Sequence, residues 1–202
     1  MSAEQLMPMF IKPVADAQQV FRRLLSAMAE PGTRQNLGSL PEVNTKQVAA
    51  YAIALCLVDN TTKVWLSPSF SSSSFKNSLA FHCGCSFVES VQQAQFVFVH
   101  EHEVDQVVAS LSAGSDRDPE FSATAIVHVE TWEQGSAQIW SGPGIKDSKK
   151  VTLPFTSYFW QQRKQKNQFP RGIDMLVVDE QSVLGLPRTT VVLEGDTDVC
   201  SR

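Results

Sequence analysis

The chain has 202 residues, 43% of them hydrophobic and 19% charged, with a formal net charge of -4. That composition excludes an intrinsically disordered chain, and the length supports a core that needs no disulfide or metal staple. The acidic balance, with a pI near 5.6, offers no broad positive field for a nucleic-acid backbone or an anionic membrane, so neither is an expected partner.

The N-terminal segment has no basic stretch followed by a long apolar one, and no later run reaches the roughly 18 apolar residues of a spanning helix. A soluble, cytoplasmic protein is expected. Residues 16–29 place Val20, Phe21, Leu24, Leu25 and Met28 at helical spacing, with Asp16 as N-cap and Glu30-Pro31-Gly32 as the stop. Residues 45–57 predict a second helix, apolar around most of its circumference and therefore buried under a sheet. Residues 63–67 read as a short strand. The serine-rich tract 67–74 is read as a loop that supplies the N-cap of a helix over 75–82, not as a domain boundary.

From residue 94 the pattern turns strand-like, over 94–100, 124–129, 137–141 and 175–178, with a helix predicted over 103–111. Residues 154–166 predict another helix with a polar tail. Residues 184–191 are expected to hold a last edge strand, because Pro187 lies within the run. The fold class expected is α/β, a three-layer sandwich with a mixed central sheet covered by helices. One domain spans 1–202, with short flexible ends at about 1–7 and 194–202.

The common catalytic signatures are missing: the nucleophile elbow, the zincin helix, the P-loop and the dinucleotide fingerprint. Ser141-Gly142-Pro143-Gly144-Ile145 is the nearest glycine-rich element and reads as a rigid turn before a phosphate cradle. Cys56, Cys83, Cys85 and Cys200 include one close pair only, so reduced, mostly buried thiols are expected and no metal site. Arg34, Arg171 and Arg188 each lie beside glycine or proline in loops, where a guanidinium fork can grip phosphate or carboxylate. Of Arg22 and Arg23, which point about 100° apart on the first helix, one is expected to face a cleft or partner, and Arg22 is the candidate. His82 is the histidine best placed for a cleft, with a structural role as the competing reading. Asp174 reads as a local cap or a group that orients an arginine. Thr189 joins this set as the neighbour of Arg188.

Four segments together are more specific than any one of them. Residues 21–32 (FRRLLSAMAEPG), 64–67 (VWLS), 169–174 (FPRGID) and 186–190 (LPRTT) occur in an order that resembles the H subunit of bacterial carbon-phosphorus lyase. The likeness covers about residues 8–192. It implies a homodimer whose fold is that of the large domain of pyridoxal-phosphate-dependent transferases without the cofactor. It implies a core assembly with the G, I and J subunits. It also implies a step, shared with the G, I and L subunits, in which a phosphonate displaces adenine from ATP to give a ribose 1-phosphonate 5-triphosphate. The J subunit's later iron-sulfur step finds no counterpart in the scattered cysteines here, so no cofactor is expected. The chain is expected to be one subunit of a transferase, not catalytic alone, and no catalytic residue is assigned. The alternative is a stand-alone phosphate-ligand binding protein or small enzyme, with Arg34, Arg171, Arg188 and His82 lining a cleft at the dimer interface.

Overall fold

The computed structural model describes residues 6–194. The first helix, α1 (Pro13–Ala29), starts three residues before the sequence-based boundary. Pro13 occupies its first turn, where a missing N–H costs nothing. Asp16 is therefore not the N-cap. Its carboxylate reaches back one turn and accepts from the Lys12 amide at 2.8 Å. Val20, Leu24 and Ala27 form the buried stripe of α1; of the other residues the spacing grouped with Val20 and Leu24, Phe21 and Leu25 are exposed and Met28 is half-buried.

The chain then forms β1 (Arg34–Asn36) and α2 (Val48–Leu57), whose residues Ala49 to Ala54 are all buried. The predicted first turn of α2 from Thr45 is instead a local turn, with Thr45 Oγ1 accepting from the Gln47 amide at 3.2 Å. After β2 (Lys63–Leu66) comes α3 (Ser73–Cys83). Ser72 caps it, its side chain accepting from Phe75 N at 3.3 Å, and Gly84 closes it in the left-handed region at φ 69°. The serine tract is thus a loop and a cap, as expected.

Next come β3 (Ser86–Phe87), β4 (Phe96–His100), α4 (Val104–Val108), β5 (Thr124–His128), β6 (Ala137–Ser141) and β7 (Lys149–Thr152). The chain continues through α5 (Ser157–Lys166), β8 (Asp174–Val178), β9 (Ser182–Leu186) and β10 (Val191–Glu194). The large sheet runs β1-β9-β8-β5-β4-β2-β3 and the small one β10-β6-β7. Strands β3, β2, β4, β5 and β8 are parallel, β9 is antiparallel to β8 and β1 to β9, so the large sheet is mixed.

Alternation along the central strands divides the core in two. Val64, Phe98, Ile126, Leu176 and Val178 pack with α1, α2 and α3 on one face. Val97, Val99, Ala125, Val127, Met175 and Val177 pack on the other face with α4, α5 and the small sheet, through Trp140, Leu153, Phe159 and Trp160. Strands buried on both faces lose the polar alternation of a half-exposed strand, which is why they read as continuous apolar runs.

The reading of 184–191 needs correction. Those residues belong to two strands: β9 lies inside the large sheet between β1 and β8, and β10 is an edge of the small sheet. Pro187 has no N–H to continue a ladder, and the turn closed by Thr190 N on Pro187 O at 3.0 Å carries the chain from one sheet to the other.

Candidate functional site

A concavity of about 890 Å³ lies between α5, the turn after it and β10. Thr156 starts α5, its Oγ1 accepting from Phe159 N at 3.1 Å. Phe159, Trp160 and Arg163 then fall on one face of the helix at helical spacing, and that face is buried. Trp160 meets Trp140 of β6 edge to face, ring centres 6.3 Å apart. Packing of the two aromatic residues carries Arg163 inward with them, to 3% exposure.

Arg163 Nη2 donates to Pro187 O at 2.7 Å and Nη1 to Thr190 O at 3.3 Å, while Nε has no partner. Burial pushes this guanidinium down to about 10, against the pull of Asp174, so it stays charged at neutral pH. Three more buried polar atoms in residues that line the cleft lack a partner: Trp160 Nε1, Thr190 Oγ1 and Gln138 Oε1. All four atoms are shut off from solvent, so none of them opens onto the cavity itself.

Arg188 is used differently. Its Nε and Nη2 both donate to Asp174 Oδ2, at 3.0 and 2.5 Å, and its amide donates to Asp174 Oδ1 at 2.7 Å. Nη1 reaches Pro119 O and Nη2 reaches Ser122 Oγ, both at 2.6 Å. The side chain therefore ties the 187–190 segment to β8 and to the loop before β5. A β-carbon at Gly172 would lie 2.6 Å from that of Arg188, so the turn can pass this close only because position 172 carries no side chain. Arg171 Nε makes an ion pair with Asp116 at 3.0 Å without the alignment of a hydrogen bond.

Of the residues predicted from the sequence, Arg171, Arg188 and Thr189 line the cleft, and Asp174 stands behind it as the partner of Arg188. The other three do not line it. Arg22 is exposed on α1, Arg34 lies 5.4 Å above the Trp132 ring, and His82 Nε2 lies 2.9 Å from Met7 O. Sequence reasoning missed Arg163, Trp160, Gln138 and Thr190. The one signal for Arg163 was its helical spacing from Phe159 and Trp160, obscured by the polar residues on both sides.

A second polar cluster sits at the carboxyl ends of the parallel strands, the usual place for a ligand in such sheets. His100 and His128 are paired across β4 and β5 with ring centres 5.2 Å apart, and His102 stacks on His100 at 4.0 Å. Burial pushes His128 down to about 4 and lowers His100 as well. Burial alone would raise Glu103, but bonds from Ser67 Oγ at 2.5 Å and Ser69 N at 3.1 Å outweigh it and hold the carboxyl low. The adjoining hollow is about 290 Å³ and mixes Lys46 with Glu130, Asp179 and Glu180. Its three carboxylates outnumber the one ammonium, so for an anionic ligand the cationic cleft is the stronger candidate. No group of three or more metal-ligating side chains comes together among the described residues.

The glycine-rich element is a packing turn. Ile145 N donates to Gly142 O at 3.1 Å, and a β-carbon on Gly144 would lie 2.1 Å from Ala29 O at the end of α1. Cys56 and Cys83 are pushed up to about 12 by burial, so both are inert thiols at neutral pH.

Residues 8–193 match the family described as bacterial phosphonate metabolism protein (PhnH). The chain belongs to that family. It is similar to the PhnH subunit of alpha-D-ribose 1-methylphosphonate 5-triphosphate synthase from Rhizobium meliloti (strain 1021), 35% identical over 187 residues that cover 90% of this chain and 92% of the relative. A second relative, described as putative C-P lyase subunit protein HtxG of Stutzerimonas stutzeri, is 27% identical over 175 residues, 86% of this chain and 84% of its own length.

Proposed function

We propose that this chain is a subunit of a carbon-phosphorus lyase system that serves the step in which a phosphonate displaces adenine from ATP, giving a ribose 1-phosphonate 5-triphosphate. The observation that carries this reading is the 35% identity to a synthase subunit along nearly the whole of both chains. The proposal includes a homodimer in the cytoplasm, a core assembly with G, I and J subunits, and an L subunit for the synthase step. It also takes residues 1–202 as one domain with the fold of a pyridoxal-phosphate-dependent transferase emptied of its cofactor.

Dependence on partners is supported by the chemistry of the cleft. Among its described lining residues it has cations, amides and hydroxyls but no carboxylate, and the nearby carboxylate, Asp174, is bonded to Arg188. Such a wall can hold an anion but has no evident base. Surfaces for partners are present as well: Phe21 and Leu25, one turn apart on α1, are both exposed, as are Phe81 and Phe121. The alternative that joins Arg34, Arg171, Arg188 and His82 in one cleft has less support, because Arg34 and His82 lie outside the cavity of a single chain.

The test is reconstitution with the neighbouring subunits. The purified chain alone is expected to give no turnover of ATP with methylphosphonate, and leaving it out of the reconstituted set is expected to abolish synthase activity. Turnover by the chain alone, or full activity without it, overturns the proposal.

A further inference from the structure

Four strands end a sheet: β1 and β3 in the large one, β7 and β10 in the small one. An edge strand presents unpaired N–H and C=O groups, and proteins blunt such edges with shortness, charge or proline. Strand β3 has two residues, β1 is the polar triplet Arg34-Gln35-Asn36, and β7 begins with Lys149-Lys150. Strand β10 begins Val191-Val192-Leu193 and carries no charge before Glu194. Among the described residues it pairs with β6 alone, and no other main-chain hydrogen bond reaches it.

The free edge is also open. Side chains alternate between the two faces of a strand, so consecutive residues can line one cavity only along an edge. Val191, Val192 and Leu193 all line the cleft beside α5, together with Phe169. Val191 is 53% exposed, Leu193 54% and Phe169 90%, an apolar rim on an unpaired strand. What such an edge recognises is another extended segment, through main-chain hydrogen bonds.

We propose that β10 pairs antiparallel with β10 of a second copy of this chain, about a two-fold axis through Val192, joining the two small sheets into one. The strand is self-complementary in that register, as a two-fold interface requires. Exposed Val191 falls opposite Leu193 of the second copy and Leu193 opposite its Val191, apolar cross-strand pairs that stabilise adjacent strands. Thr190 falls opposite Glu194, so no like charges meet. The second copy then forms one wall of the cleft that β10 lines. This rests on the homodimer of the proposed function and names the surface that makes it.

The test is the mass of the full chain in solution by light scattering, with circular dichroism to confirm folding. The wild type is expected to be a dimer, and isotope-filtered nuclear magnetic resonance on a mixed-label sample is expected to show Val191 methyls of one copy against Leu193 methyls of the other. Val191→Lys/Leu193→Lys sets like charges opposite each other across the seam and is expected to give a folded monomer. Val191→Lys/Leu193→Glu sets opposite charges there and is expected to restore the dimer at low salt. Leu25→Lys, at the exposed apolar residues of α1, is expected to leave the dimer intact. A dimer that survives Val191→Lys/Leu193→Lys overturns the seam but leaves the homodimer and the synthase reading standing. So does a Val191→Lys/Leu193→Glu chain that stays monomeric. A monomeric wild type overturns the seam and the homodimer together, even if a neighbouring subunit then protects the β10 amides from exchange, and the reconstitution assay still decides the synthase step.

Discussion

Arg188 and Arg163 are both guanidiniums beside one cleft, and their surroundings set different roles. Arg188 makes five hydrogen bonds, three of them to Asp174. Arg188→Ala would leave the Asp174 carboxylate half-buried without its cation and free the 187–190 segment. The expected loss is roughly 3 kcal/mol in urea unfolding. A change below about 0.5 kcal/mol would show that the pair contributes nothing. The importance of Arg188 and Asp174 could be read from sequence, because turn residues surround them. That of Arg163 could not, because its burial follows from Phe159 and Trp160 finding the small sheet, which no local pattern announces.

Helices α1, α2 and α3 follow from periodicity and end signals, and their boundaries shift by two or three residues, at Pro13, at Thr45 and at Ser73. Element contacts add constraints that sequence does not display. A β-carbon on Gly185 of β9 would lie 2.3 Å from Ala27 O of α1, so Gly185→Ala is expected to push the helix off the sheet. A cost of about 2 kcal/mol or more is expected, seen as a lower denaturation midpoint; an unchanged midpoint would show that α1 shifts freely. Thr156 caps α5 and also donates to Asp105 Oδ2 of α4 at 2.7 Å. Thr156→Ala is expected to cost about 1 kcal/mol, whereas Thr156→Asn should recover part of the cap.

Acid stability belongs to the whole molecule, because the histidines near its centre are held neutral. The unfolded chain takes up a proton at His128 near pH 6.5, while the folded chain resists until about 4, and His100 is lowered in the same direction. Between those values the unfolded state binds more protons, so stability is complete above pH 6.5 and falls as pH drops toward 4. His128 alone contributes roughly 3 kcal/mol to that fall. Urea unfolding from pH 7.5 to 4.5 should show the decline, and His128→Gln should flatten it. An equal slope in the variant would show that His128 does not carry it.

The sequence by itself determined the α/β class, the mixed sheet, the five helices and the likeness to the phosphonate family, because all of these are written in local periodicity or in short ordered motifs. Only the tertiary structure decided that Pro187 divides two sheets, that β6, β7 and β10 form a separate small sheet, and that a polar-looking helix buries Arg163. Those outcomes depend on contacts between residues far apart in the chain. A charged side chain is buried only when distant segments, here α5 and the turn before β10, close around it and exclude water.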